Sequence, residues 1–174
     1  RARRNPLLEA LEAVPDAEAK TAADLGCGIG PLLPILGARF GRVVGVDFAP
    51  GMLLRARERC AGLANVELLQ RDLSDLSDLR GQIDVACAVN SLVMPDLGVL
   101  ERVLAQVRAA LRPGGLFLGI VPAIDAVHYH TMLLVDRARQ TGMPEPSARL
   151  NAAGHAEHTL YDFAFGGFRY SGLE

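Results

Sequence analysis

The stretch Ala22-Ala23-Asp24-Leu25-Gly26-Cys27-Gly28-Ile29-Gly30 narrows the folds open to this chain more than any other. A short apolar run ends in an acid, three glycines alternate, and an apolar helical pattern follows. The order is strand, tight turn, helix. An α/β protein builds a cradle for a small ligand in this way, at the carboxyl edge of its sheet. Glycine suits the turn because it tolerates positive φ and lets the backbone come close to a ligand.

The rest of the chain repeats the alternation. Strand-like runs occupy Thr21 to Leu25, Arg42 to Val46, Asn65 to Gln70, Ile83 to Val89 and Leu116 to Val121. The second ends at Asp47 and the third at Arg71-Asp72. The fourth is almost continuously apolar, as expected of a strand buried on both faces. Helical patterns lie between them. Pro6 to Val14 carries Leu7, Leu8 and Leu11 on one face, and a helix near Pro31 carries Leu32, Leu33, Leu36 and Phe40. Pro50 opens another helix, with Met52, Ala56 and Cys60 inward. Leu73 to Leu79 predicts one or two helical turns. Asp96 caps a helix whose apolar period is Leu97, Leu100, Leu104, Val107 and Leu111, and Arg112-Pro113-Gly114-Gly115 ends it. This alternation predicts an α/β chain, a three-layer αβα sandwich with a mostly parallel, doubly wound sheet and right-handed crossovers.

A length of 174 residues suits a single domain over 1–174, divided into a ligand-binding part at 1–121 and a further part at 122–174. In the latter, Ile124 to Thr141 reads as a helix and Glu145 to Glu157 as a loop or weak helix. Tyr161, Phe163 and Phe165 alternate like a strand, and Gly166-Gly167 suits a hairpin turn into Phe168 to Ser171. The sequence stops at Glu174 with no closing helix or strand signal, which predicts that the domain continues beyond it. Half of the residues are hydrophobic, 22% are charged and the net charge is −2. Lys20 is the lone lysine and the arginines are scattered, so no nucleic-acid footprint is evident. No apolar run is long enough to span a bilayer. Cys27, Cys60 and Cys87 show no metal-ligand spacing, no metal site is expected, and free thiols fit the cytoplasm.

Two ligand classes use a strand, glycine turn and helix. A dinucleotide site wants a small residue three positions after its second glycine, and counted from Gly28 that position is Pro31. The acid Asp24 also opposes a phosphate. The alternative is S-adenosylmethionine, which has no phosphate and carries an ammonium group. Asp24-Leu25-Gly26-Cys27-Gly28-Ile29-Gly30 resembles the first motif of class I S-adenosylmethionine-dependent methyltransferases. Val46-Asp47-Phe48-Ala49 resembles that family's ribose-binding segment, Arg71-Asp72-Leu73 its adenine-reading segment, and Leu111-Arg112-Pro113-Gly114-Gly115 the turn before its fifth strand. The resemblance runs from Thr21 to Val121.

It implies a Rossmann-like methyltransferase fold, S-adenosylmethionine as cofactor, and a role for each matched residue. Asp47 would accept from the ribose diol, with Phe48 and Met52 around the adenosine. Asp72 would accept from the adenine amino group, and the Leu73 amide would donate to the ring. Gly26, Cys27 and Gly28 would pass under the methionine tail, and Asp24 would hold its ammonium. Structural readings stand beside these: Asp24 as a turn cap, Asp72 as a helix cap. Asp47 has few structural duties to compete for it.

Methyl transfer asks the protein mainly to align and desolvate the reactants. Asn90, in Asn90-Ser91-Leu92-Val93-Met94 after the fourth strand, is the candidate for orienting the acceptor beside the cofactor; it could equally form a turn. His128 and His130 follow the fifth strand, and His128 is the candidate base. His155 and His158 are weaker candidates, and Cys27 is a packing residue rather than a nucleophile. Asn90 lacks the Pro-Pro-aromatic run of nucleic-acid amino methylases, so a small-molecule acceptor is expected. A catalytically silent module that kept the cofactor pocket, and a nicotinamide oxidoreductase, are the competing readings.

Overall fold

A computed structural model describes residues 5–94, 96–121 and 124–156, without side chains at 124–128 and 153–156. Two compact units part between Ile120 and Val121. In the first, five strands form one parallel sheet: β1 (Thr21–Leu25), β2 (Arg42–Asp47), β3 (Val66–Gln70), β4 (Ile83–Val89) and β5 (Leu111–Ile120). Their spatial order is β3-β2-β1-β4-β5. The chain winds outward from β1 in one direction and from β4 in the other. The strand order therefore reverses between β1 and β4, where open α/β sheets leave a crevice at their carboxyl edge.

Alternate residues of the strands enter two separate cores. Ala22, Val43, Val85 and Cys87 face one side, packed by α1 (Pro6–Glu12), α2 (Leu33–Gly37) and α3 (Pro50–Arg59). Ala23, Val44, Ala86 and Ala88 face the other, under α4 (Leu97–Ala110) and the segment Leu73 to Leu79, which ends in a single 3-10 turn at Ser77–Leu79. The result is the expected αβα sandwich. At the amino edge Asp84 accepts from the Thr21 N–H at 2.8 Å and from the Arg112 guanidinium at 3.0 Å, tying the starts of β1, β4 and β5 together.

The expected bounds of β1 and β4 are those observed. Pro50 opens α3 and Asp96 caps α4, also as expected, while other details differ. α2 begins at Leu33 rather than near Pro31 and lasts five residues, with Pro34 in its first turn, where a missing donor costs no helical bond. On α3, Leu53, Ala56 and Cys60 are buried, whereas Met52 is 44% exposed, so Met52 does not face inward. On α4 the buried residues are Val103, Val107 and Ala110; Leu97 is 73% exposed and Leu104 41%. Leu111 already pairs with Ile83, and Arg112 to Gly115 bulge out before Leu116 pairs with Val85. Proline and glycine here mark a bulge inside β5 rather than the gap before it.

The second unit contains α5 (Ile124–Gln140) and α6 (Glu145–Ala156), joined through Gly142 at a φ of 88°. The stretch read as a loop or weak helix is thus a helix from Glu145, whose carboxylate pairs with Arg149 at 2.7 Å. The hairpin expected over Tyr161 to Ser171, and His158, lie outside the described residues.

Candidate active site

β1 and β2 are in register with Leu25 opposite Val46, so their acidic tips stand side by side. The turn after β1 passes through positive φ at Gly26 (74°), Gly28 (54°) and Gly30 (73°). At Gly26 a Cβ would overlap that of Ser91. At Gly28 a Cβ would meet nothing within 4 Å, so the backbone there borders open space.

The turn uses its own amides. Gly26 and Cys27 N–H both donate to the Val46 carbonyl, at 2.8 and 2.9 Å, and Gly30 N–H donates to the Cys27 carbonyl at 2.9 Å. Gly28 N–H donates to Asp47 Oδ2 at 2.8 Å, and Asp47 Oδ1 accepts from Ala49 N–H at 2.9 Å. Asp47 therefore has a structural duty that its sequence context did not reveal: it fastens the glycine turn to the tip of β2. A carboxylate has about four acceptor positions, so about two remain for a ligand.

Asp24 is 3% exposed, and no described side chain or amide hydrogen-bonds its carboxylate, whose oxygens are not fully sealed from solvent. Burial, and next the charge of Asp47, push its pKa up to about 7. A carboxyl group so placed, beside a second one, either keeps its proton or takes a cation. Cys27 lies in the same turn. Burial first, then Asp24 and Asp47, push its thiol up to about 12, so it stays protonated and serves as packing.

The other matched residues stand at neighbouring tips. Phe48 and Met52, 43% and 44% exposed, flank the start of α3 after β2. Asp72 is exposed after β3 and accepts from Ser74 N–H at 2.8 Å, and hydrogen bonding from Ser74 lowers its pKa; it closes a turn rather than capping a helix, since the helical turn starts only at Ser77, and it has acceptor capacity to spare. The Leu73 side chain is buried, while its N–H has no acceptor among the described residues. Asn90, after β4, is exposed at a φ of 55°, and its N–H donates to the Ile120 carbonyl at 2.8 Å. Asp24, Gly26, Cys27, Gly28, Asp47, Phe48, Asp72, Leu73 and Asn90 thus gather along one sheet edge, with Met52 one turn into α3. His128 lies on α5 in the second unit, outside the described side chains.

Ser91 was not anticipated as a site residue. Its hydroxyl donates to the Leu25 carbonyl at 2.5 Å. A small hydroxyl residue just past a buried strand was the available signal. A concavity of about 490 Å³ opens at the amino edge instead, lined by Lys20, Asp84, Arg112 and Leu116 among others. It lies at the opposite ends of the strands, and its charged side chains pair with the protein itself: Arg112 with Asp84, and Lys20 with the Pro15 carbonyl.

Comparison with known proteins follows this geometry. A family model described as a methyltransferase domain matches residues 22–115. The chain is 37% identical over 116 residues to a trans-aconitate 2-methyltransferase of Paracidovorax citrulli, covering 65% of this chain and 43% of that protein. Among solved structures, an S-adenosylmethionine-dependent methyltransferase of Mesorhizobium loti is 28% identical with a TM-score of 0.55, over 66% of this chain and 50% of that one. An S-adenosylmethionine-bound amino pentose methyltransferase of Micromonospora echinaspora is also 28% identical, with a TM-score of 0.58, over 67% of this chain and 48% of that one. The chain spans about half the length of these relatives or less. Acid tips, glycine turn, strand order and relatives agree, and the chain belongs to the class I S-adenosylmethionine-dependent methyltransferase family.

Proposed function

We propose that this domain binds S-adenosylmethionine along the tips of β1, β2 and β3 and directs its methyl group to a small-molecule acceptor. When bound, this cofactor supplies a methyl group on a sulfonium, open to in-line displacement by an electron pair of the acceptor. The observation that carries the reading is the pairing of Asp24, 3% exposed and with its pKa raised to about 7, with a glycine turn whose Gly26, Cys27, Gly28 and Gly30 amides are engaged within the protein. A dinucleotide turn aims such amides at a pyrophosphate. Here Gly26, Cys27, Gly28 and Gly30 donate inward, and the acid Asp24 stands just before them.

Each residue then has a task. Asp24 holds an ammonium, and ionises as it does so. Asp47 offers its remaining acceptor positions to a diol, while Phe48 and Met52 cover an aromatic base. Asp72 and the Leu73 N–H read the edge of that base. Asn90 orients the acceptor, and His128 is proposed as the base where the acceptor must lose a proton, on the chemistry of imidazole alone. The first acceptor to test is trans-aconitate, because several curated relatives carry that substrate in their names. No described helix is long and apolar enough to cross a membrane, and three buried free thiols fit work in the cytoplasm.

Calorimetric titration with S-adenosylhomocysteine, NADH and ATP tests the site. The expected outcome is binding of the first alone; NADH binding without it would overturn the reading. Mass-spectrometric detection of methylated trans-aconitate tests the acceptor.

A further inference from the structure

The crevice between β1 and β4 has a floor that the roles above leave unexplained. The last paired residues of these strands are Asp24 and Cys87. One step further on, the Leu25 carbonyl is taken by the Ser91 hydroxyl at 2.5 Å. The Ser91 Cβ fills the place that a Cβ at Gly26 would take. Asn90, immediately before it, turns the chain through a φ of 55° and is tied on its other side to the Ile120 carbonyl of β5. The segment leaving β4 is therefore pinned to β5 by a backbone amide and to β1 by a side chain.

We propose that Ser91 is a positioning residue, which locks the acceptor-side segment after β4 onto the cofactor turn after β1. The inference rests on the reading of this edge as a methyl-transfer site. A small residue is required because the two backbones meet with no room for a side chain on Gly26. A hydroxyl is required because the Leu25 carbonyl lies beyond the β1–β4 ladder. Through this one bond, the setting of the glycine turn and that of Asn90 become a single setting.

The test compares wild type, Ser91→Ala and Ser91→Thr by S-adenosylhomocysteine calorimetry, thermal melting and amide hydrogen exchange. Ser91→Ala is expected to weaken S-adenosylhomocysteine by about fivefold, the worth of one neutral hydrogen bond. Exchange should quicken at 22–30 and 88–94 and stay unchanged elsewhere. Ser91→Thr keeps the hydroxyl but adds a methyl at the crowded Cβ, so restored affinity and protection in it would support the hydroxyl's role. If wild type does not bind S-adenosylhomocysteine, the functional reading itself fails. If wild type binds and Ser91→Ala matches it in affinity and local exchange, the positioning role is wrong. Protection lost evenly across the chain with a lowered melting temperature overturns it too.

Discussion

At Asp24, burial and the neighbouring Asp47 act in the same direction, and the carboxyl group titrates at about 7 rather than its usual 3.8. A cation bound there favours the ionised form, so cofactor affinity should fall as pH drops through neutrality. Asp24→Asn should weaken S-adenosylmethionine by about tenfold or more, the scale of a charged hydrogen bond, and flatten the pH dependence; calorimetry at pH 6 and 8 checks both. Asn90 poses a different question, since its φ of 55° is a turn conformation that asparagine tolerates. Asn90→Gly should leave urea stability nearly unchanged, and Asn90→Ala should cost about 1 kcal/mol. A loss of turnover in the glycine variant would then report on the side chain alone. The residue types at the site were legible in the sequence, because acids at strand tips and alternating glycines have few other uses. What Asp47 does for the turn was not, because the Gly28 N–H that it accepts comes from another strand's loop, nineteen positions away.

Among the elements, the buried parallel strands were the most legible: β1 is buried at every residue and β4 is nearly continuously apolar, so neither leaves a choice of face. α4 was the least. Leu97, Val99, Leu100, Val103, Leu104 and Val107 cover more than one side of a helix, and periodicity alone does not choose between overlapping stripes. The sheet chooses, and it takes Val103, Val107 and Ala110. α1 shows a contact that no local pattern announces. Arg39, beyond α2, donates to the carbonyls of Leu11, Glu12 and Val14 at 2.6, 2.5 and 2.8 Å, where a helix end leaves acceptors open. Arg39→Ala should lower stability by about 1–3 kcal/mol and speed amide exchange over 6–14, read by urea denaturation and exchange mass spectrometry.

Among the described residues, Asp24 is the carboxyl group whose raised pKa reaches neutrality. Between about pH 4 and 7 the folded chain keeps a proton on Asp24 that the unfolded chain has released. Stability of the ligand-free protein therefore falls as pH rises through that window. The carboxylates of Asp72, Asp78 and Glu145 are held low by their hydrogen-bond partners and act with the opposite sign, below about pH 4. Urea unfolding at pH 5 and 8 should show the ligand-free protein weaker at pH 8, by an amount on the order of a few kcal/mol, and Asp24→Asn should remove most of the difference.

The inward-turned amides of the glycine loop also bear on competition inside a cell. ATP, ADP and the nicotinamide coenzymes all carry the same adenosine and far outnumber most other nucleosides. A pocket that greeted phosphate would be crowded by them. On the proposed reading, this one turns the amides of Gly26, Cys27, Gly28 and Gly30 inward and sets an acid beside them, so it would select its guest by turning the commoner ones away.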